Sequence, residues 1–248
     1  MSLESVDARY QRGKELRKQV PRSSHALFTR SPDVDPVEIL LSQEGDRIQS
    51  LIPIRHQRMG ENAYAFYRAG AKLMAADLSG TPTTNVMVQA SGDAHLANFG
   101  WYGSPERNLV FDANDFDETL PASFEWDVKR LAASFIIAGD DNGFDAKDSE
   151  KVARHCVRAY RDAMAQFASL GFLDTWYAHL SADRLLDSLS KEGRNKDAKK
   201  LEKFETKAKR KDSRHVLGKL AAEEDGEFHI IDDSPWLVPV RNVFDYLD

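Results

Sequence analysis

The sequence SGDAHLANFGWYGSPERNLVFDANDFD, residues 91–117, decides the fold, and the rest of the chain is arranged around it. Its first part places Asp93, His95 and Asn98 within six residues, directly after a glycine. Its second part ends in a cluster of oxygen-bearing side chains, Asp112, Asn114, Asp115 and Asp117. Two dense groups of short polar side chains beside apolar runs predict a chemical site.

Two β-strands are predicted beside these groups. Residues 84–90 (TNVMVQA) have the alternating side-chain pattern and the β-branched residues that are typical of a strand. Residues 108–111 (NLVF) repeat this character after a Gly-Ser-Pro turn signal. The polar groups therefore fall on loops at strand ends. A hairpin-like pairing would bring Asp93 and Asn98 close to Asp115, and such oxygen donors are the ligands that Mg²⁺ prefers.

The spacing Asp-x-x-x-x-Asn, followed across a strand by Asp-Phe-Asp, resembles the catalytic loop and the metal-binding Asp-Phe-Gly element of kinases. The resemblance implies that Asp93 orients a substrate hydroxyl, and that Asn98 and Asp115 bind Mg²⁺ or Mn²⁺ at the phosphates of ATP. His95 belongs to the catalytic loop and supports it by hydrogen bonding. Asp117 stands where protein kinases carry glycine. A carboxylate at this position resembles the aminoglycoside and choline kinases, and we group Asp117 with the metal ligands.

A purely structural interpretation of these loops stays open, because Gly-Asp and Asn-Asp turns between strands also arise without function. Asp127, in the helix predicted within residues 121–139, likewise has two interpretations. It resembles the aspartate that accepts backbone N–H bonds from the catalytic loop in kinase-like folds. The alternative is a salt bridge with Lys129 or Arg130.

Cationic side chains lie near aromatic residues in the segment of residues 51–78, of which residues 62–78 are predicted to form one helix. Arg55, Arg58 and Arg68 are the candidates for binding the phosphates of a nucleotide cofactor. The alternative is that they solvate a helix face while their apolar stems cover neighbouring surface.

Length and charge restrict the class of protein. A chain of 248 residues with 42% hydrophobic residues suits one large domain or two small ones. The net charge of −6 gives no general case for nucleic acid, and no apolar run is long enough to cross a membrane. The N-terminus has no apolar core of a secretory signal, so we expect a cytoplasmic protein. The single cysteine, Cys156, is interpreted as a buried structural thiol.

The rest of the chain divides into two predicted regions. Residues 1–34 form a polar helix followed by a loop or docking arm. Residues 35–248 form one kinase-like domain of the α+β class, mostly helical, with a small antiparallel sheet that carries the site loops. Residues 145–170 are predicted as a helix whose apolar side chains enter the core, namely Val152, Cys156, Val157, Tyr160, Met164 and Phe167.

Five segments together resemble a bacterial family of unknown function, the domain-of-unknown-function family 2252. They are LIPIRHQRM, AFYRAGAKLMAADL, SGDAHLANFG, SPERNLVFDANDFDETLP and FEWDVKRLAAS. The resemblance runs from about Pro21 onward and implies no established activity. It also implies longer relatives, which continue past the region matching Val240 with a Gly-rich turn and a lysine-bearing strand. This chain stops at Asp248, so we expect it to lack a nucleotide-binding lobe.

Three functions are compatible with these patterns. The first is a metal-dependent phosphotransferase acting on a small-molecule or protein hydroxyl, or an inactive form of such an enzyme. The second is a non-catalytic domain that binds a nucleotide or a partner. The third is metal-dependent phosphoester hydrolysis through the pair Asp93 and His95, which is weaker because the expected Gly-Asn-His segment is missing. No pattern determines the oligomeric state.

Overall fold

The computed structural model describes residues 4–28, 30, 32, 34–106, 108–209, 213–224, 226–233, 237 and 239. The helices are α1 Val6–Gln19, α2 Pro36–Leu41, α3 Ile52–Met59, α4 Ala63–Arg68, α5 Ala71–Ser79, α6 Glu125–Asp141, α7 Ala146–Phe167, α8 Phe172–Trp176, α9 Ala182–Lys191, α10 Asn195–Lys209 and α11 Ser213–Leu220. The strands are β1 Met87–Ala90, β2 Phe99–Gly103, β3 Leu109–Ala113, β4 Leu120–Ser123, β5 Leu180–Ser181, β6 Ala221–Glu224 and β7 Glu227–Ile230. Helices dominate and the sheets are small, so the α+β prediction is confirmed.

The chain divides into two compact units. The first consists of Met1–Tyr102 with Phe111–His179, and the second of Gly103–Val110 with Leu180–Asp248. Strand β1 pairs antiparallel with β4 in the first unit, and β6 pairs antiparallel with β7 in the second. A three-stranded sheet has the order β2-β3-β5. Every residue of the predicted site belongs to the first unit.

The pairing of β1 with β4 positions the two polar loops. Ala90, the last residue of β1, lies opposite Leu120, the first residue of β4. The loop that leaves β1 and the loop that leads into β4 therefore lie at the same end of this strand pair. They approach closely at Gly92, which has a φ of +77°, and a Cβ atom added there would collide with the carbonyl oxygen of Glu118.

Strand β1 starts later than predicted because the chain turns just before it. Asn85 has a φ of +56°, in the left-handed region, where an extended strand cannot continue. Thr84 is held instead by the buried Glu125, whose Oε1 accepts hydrogen bonds from Thr84 N at 2.9 Å and from its hydroxyl at 2.6 Å. Ser123 donates a further bond to this carboxylate. Glu125 thus anchors the entry to β1 on the start of α6.

The single helix predicted for residues 62–78 is wrong, because α4 ends at Arg68 and α5 begins at Ala71. Two tertiary contacts account for the break. Arg55 Nη2 donates to the carbonyl of Ala69 at 3.0 Å, and Arg130 Nη2 donates to the carbonyl of Tyr67 at 3.1 Å. These cations bind carbonyl oxygens that a continuous helix would use for its own hydrogen bonds.

The prediction that the apolar side chains of α7 enter the core is also wrong. Helix α7 packs on α6 through small residues, since Ser149 and Ala153 are buried and a Cβ atom at Gly139 would collide with Ser149. Cys156 is half-buried, and burial raises the pKa of its thiol. The large apolar side chains remain 37–47% exposed, namely Val152, Val157, Tyr160, Met164 and Phe167.

An ion pair joins the segment before α2 to α5. Arg30 donates from Nε and Nη2 to the two carboxylate oxygens of Asp77 on α5, at 2.6 and 2.7 Å. Within the described ranges, no helix is both long enough and apolar enough to span a membrane.

The close approach at Gly92 can be tested against a second left-handed glycine. Gly92→Ala adds both backbone strain and a collision with Glu118. Gly143→Ala, at a φ of +72° with open space around the added methyl group, adds only strain. We expect Gly92→Ala to lower the free energy of unfolding in urea by roughly 1–3 kcal/mol more than Gly143→Ala. Equal losses would show that the two loops do not meet at this glycine.

Candidate functional site

Helix α6 holds the backbone of the loop that follows β1. The carboxylate of Asp127 accepts hydrogen bonds from Ser91 N at 2.7 Å and from Gly92 N at 3.1 Å. The interpretation of Asp127 as an acceptor of loop N–H groups is therefore confirmed. Lys129 instead donates to the hydroxyl of Thr81 at 3.0 Å.

Two further positions on the same face of α6 bind the next part of the loop. Arg130 and Ser134 follow Asp127 at i+3 and i+7, which places all three on one helix face. Ser134 Oγ accepts a hydrogen bond from Leu96 N at 3.0 Å. One stripe of α6 thus specifies the path of residues 91–96.

Arg130 and Asp93 form a buried ion pair at the centre of the site. Arg130 is 2% exposed, and its Nε donates to Asp93 Oδ1 at 2.7 Å. Nη2 also donates to Asp93 Oδ1 and, at 3.1 Å, to the carbonyl of Tyr67. The guanidinium carbon lies 4.7 Å from the centroid of the Tyr67 ring, and the Tyr67 hydroxyl donates to the Arg130 carbonyl at 2.8 Å. Each charged group is therefore neutralised by the other where solvation by water is strongly reduced.

The two oxygens of the Asp93 carboxylate differ in their surroundings. Oδ1 accepts two N–H bonds from Arg130, whereas Oδ2 has two longer contacts, 3.3 Å from Asn98 Nδ2 and 3.6 Å from His95 Nε2. Burial raises the pKa of Asp93, and the negative charge of Asp115 adds to this, while Arg130 and Asn98 oppose it. Oδ2 is therefore the oxygen with capacity left for a further hydrogen bond.

His95 supports the loop from inside. The side chain is 3% exposed, and its Nδ1 accepts a hydrogen bond from Ala97 N at 3.2 Å. The ring proton of the neutral imidazole is therefore on Nε2, which lies 3.6 Å from Asp93 Oδ2. Burial, followed by the positive charges of Arg130 and Arg68, lowers the pKa of His95 to about 4. At neutral pH the imidazole is uncharged.

The second polar loop reaches the first through its backbone and its charge. Asn114 N donates to the carbonyl of Asn98 at 3.1 Å. Asp115 is exposed, but its negative charge adds to the rise that burial causes in the pKa of Asp93 and opposes the fall in the pKa of His95. Asp117 is exposed in the same loop. The structure thus brings the Asp93 loop within electrostatic range of Asp115.

A cation at this site would need both carboxylate and amide oxygens as ligands. Across the described ranges, no three His, Cys, Asp or Glu side chains are grouped closely enough to hold a metal ion. The predicted ligands are Asn98 through its amide oxygen, and Asp115 and Asp117 through their carboxylates. These hard oxygen donors suit Mg²⁺ or Mn²⁺, and this ligand set stays a prediction.

The three candidate arginines lie in different environments. Arg55 is half-buried on α3 and uses Nη2 for the Ala69 carbonyl, and burial lowers its pKa. Arg58 is exposed on the same helix. Arg68 is exposed at the end of α4, and its charge acts on His95. Of the three, Arg68 is therefore the arginine whose charge acts on His95 in the loop after β1.

Sequence reasoning missed Arg130 as a site residue and considered it only as a partner for Asp127. A signal was present in the spacing, because a helix that presents Asp127 to the loop also presents i+3 and i+7. The sequence does not reveal that Arg130 selects Asp93, since the two residues are 37 positions apart.

The ion pair can be measured with a double-mutant cycle. Arg130→Met or Asp93→Asn alone removes the charge that neutralises its buried partner, and each should lower the free energy of unfolding by about 3–5 kcal/mol. The double variant should lose much less than the sum of the two, as measured by urea unfolding. Additive losses would contradict a direct pairing. Arg154→Met, on the exposed surface of α7, serves as the control.

The buried neutral His95 predicts a pH dependence of stability. Its folded-state pKa of about 4 lies below the ordinary value of 6.5, so the unfolded chain binds the proton more readily. The contribution of neutral His95 to the free energy of unfolding is fully present above pH 6.5 and is lost as the pH falls towards 4. The loss is of the order of 3 kcal/mol. His95→Asn keeps an acceptor for Ala97 N and removes the titration. Parallel pH curves for wild type and variant would contradict this prediction.

Comparison with known proteins identifies the family but no activity. Searches of curated proteins and of solved structures gave no match. A family model described as "Uncharacterized protein conserved in bacteria (DUF2252)" matches residues 47–246. The match begins later than the predicted start near Pro21 and includes all five segments on which the resemblance rests. The chain therefore belongs to this bacterial family, DUF2252.

Proposed function

We propose that the first unit is a metal-dependent phosphotransferase of the kinase-like type. It would use ATP with Mg²⁺ or Mn²⁺ to phosphorylate a hydroxyl group of a small molecule or a protein. The observation that carries the proposal is that the Asp127 carboxylate accepts hydrogen bonds from Ser91 N and Gly92 N. This contact is expected of the helix that supports a kinase-like catalytic loop, and it accompanies the Asp93, Asn98 and Asp115 spacing.

In this proposal Asp93 Oδ2 accepts the hydrogen bond of the substrate hydroxyl and orients its oxygen towards the γ-phosphorus. The hydroxyl oxygen forms the new bond to phosphorus as the bond to the bridging oxygen of ADP breaks, and the hydroxyl proton passes to Asp93. Arg130 supports this role because its positive charge favours the ionised carboxylate in a buried setting.

The metal ligands of the proposal are Asn98, Asp115 and Asp117. Asn98 uses Nδ2 for the carbonyl and the carboxylate of Asp93, at 3.0 and 3.3 Å, which leaves its amide oxygen as the atom for a cation. A divalent ion bound there would neutralise the phosphate charges of the nucleotide. Arg68 is the favoured phosphate contact on the protein side, since its charge already acts on His95.

The cytoplasm supplies the nucleotide that this reaction requires. We propose that the protein acts there, where ATP is available to it.

A second candidate is a non-catalytic domain that binds a nucleotide or a partner without turnover. The observation that favours it is the engagement of Asp93, whose side chain is only 14% exposed and already meets Arg130 and Asn98. In that case the carboxylate serves to anchor the loop, and the fold presents a surface instead of a reaction centre.

Nucleotide binding is tested by thermal unfolding with Mg²⁺ and ATP. At about ten times the dissociation constant, ATP should raise Tm by roughly 3–6 °C for a chain of this size. Asp115→Asn should abolish the shift because it removes a proposed metal ligand. Asp112→Asn is the matched control, since Asp112 is exposed on β3 and its carboxylate accepts a hydrogen bond from the adjacent Ala113 N at 2.8 Å.

Turnover separates the two candidates. Transfer of the γ-phosphoryl group, followed by release of ADP, should be lost in Asp93→Asn while the ATP-dependent shift in Tm remains. Binding that persists without any ADP release would support the non-catalytic domain. The absence of a Tm shift with every nucleotide tested would exclude the phosphotransferase.

A further inference from the structure

A small cavity lies beneath the loop that follows β1. Its volume is about 20 Å³, and it is lined by Met74, Ala75, Leu78, Ala90, Gly92, Leu120, Trp126, Asp127 and Arg130. A cavity of about 10–15 Å³ is enough to hold one water molecule. The cavity therefore has room for one water molecule and excludes any organic ligand.

Two lining residues carry buried N–H groups that have no hydrogen-bond acceptor among the described residues. They are Trp126 Nε1 and Arg130 Nη1. The other two nitrogens of Arg130 are used by Asp93 and Tyr67, so Nη1 is the one left over. A buried donor without an acceptor lowers stability by about 1–3 kcal/mol, so native structures rarely keep one.

Acceptors are present at the same place. Each oxygen of the Asp127 carboxylate accepts one backbone N–H and has a second lone pair. Two unpaired donors and the two carboxylate oxygens of Asp127 therefore belong to residues that line a space of the size of one water.

We propose that one water molecule is bound in this cavity as part of the site. It accepts hydrogen bonds from Trp126 Nε1 and Arg130 Nη1 and donates to the carboxylate of Asp127. A bare cation would meet the positive charge of Arg130, and a halide ion would meet the carboxylate of Asp127, so a neutral ligand fits best. The water would connect Asp127, which holds the loop backbone, to the buried guanidinium of Arg130, whether or not the unit transfers phosphate.

Crystallography and NMR test this proposal on the whole chain, without nucleotide or metal. A crystal structure at about 1.8 Å should show one density peak about 2.7–3.2 Å from Trp126 Nε1. A bromide soak should leave no anomalous signal there. In solution, the Trp126 indole proton should show a rotating-frame Overhauser peak to a water molecule with a long residence time.

A matched pair of variants removes the water selectively. Ala75→Val adds two methyl groups beside the cavity and should abolish the indole-to-water peak. Ala76→Val, at the neighbouring half-buried position of α5 outside the lining, should keep it. An empty cavity in wild-type crystals, an anomalous bromide peak, or the absence of the wild-type indole-to-water peak would each overturn the proposal. None of these outcomes depends on phosphotransferase activity.

Discussion

A guanidinium and a carboxylate can be removed from water together only if each neutralises the other, and this constraint organises the first unit. Arg130 is buried against the Tyr67 ring and donates twice to one oxygen of Asp93. The pair joins α4, α6 and the loop after β1. Because breaking such a pair leaves an uncompensated buried charge, the three elements are held in one arrangement.

The remaining contacts of α6 follow from that arrangement. Asp127 and Ser134 bind the backbone N–H groups on either side of Asp93, and Asp141 accepts a hydrogen bond from Tyr64 N at 2.6 Å. A regular helix thus serves as the template for an irregular loop. Since helix geometry is rigid, the Asp93 carboxylate is held with Oδ1 bound to Arg130 and Oδ2 in longer contacts, which suits either a reacting hydroxyl or a structural anchor.

Membership in DUF2252 assigns no reaction to the chain, so its function must be inferred from the site itself. The kinase-like interpretation draws its support from the Asp127 contacts with the loop backbone and from the charge of Asp115 near Asp93. The non-catalytic interpretation draws on the contacts that already surround Asp93. The two differ in a single physical respect, which is whether Oδ2 meets a substrate.

Local patterns in the sequence determined the features whose causes are local. Strand alternation and turn residues located the two polar loops, and the mixture of elements indicated the α+β class. The role of Asp127 as an acceptor for the first loop came from a resemblance to kinase-like folds, beside the alternative of a salt bridge. Tertiary structure alone decided the break between α4 and α5, the exposure of the apolar side chains of α7 and the choice of Arg130 as the partner of Asp93. The physical reason is that carbonyl capture, burial and ion pairing depend on residues distant in the chain. Periodicity shows which side chains share a face, but it does not show what that face will meet.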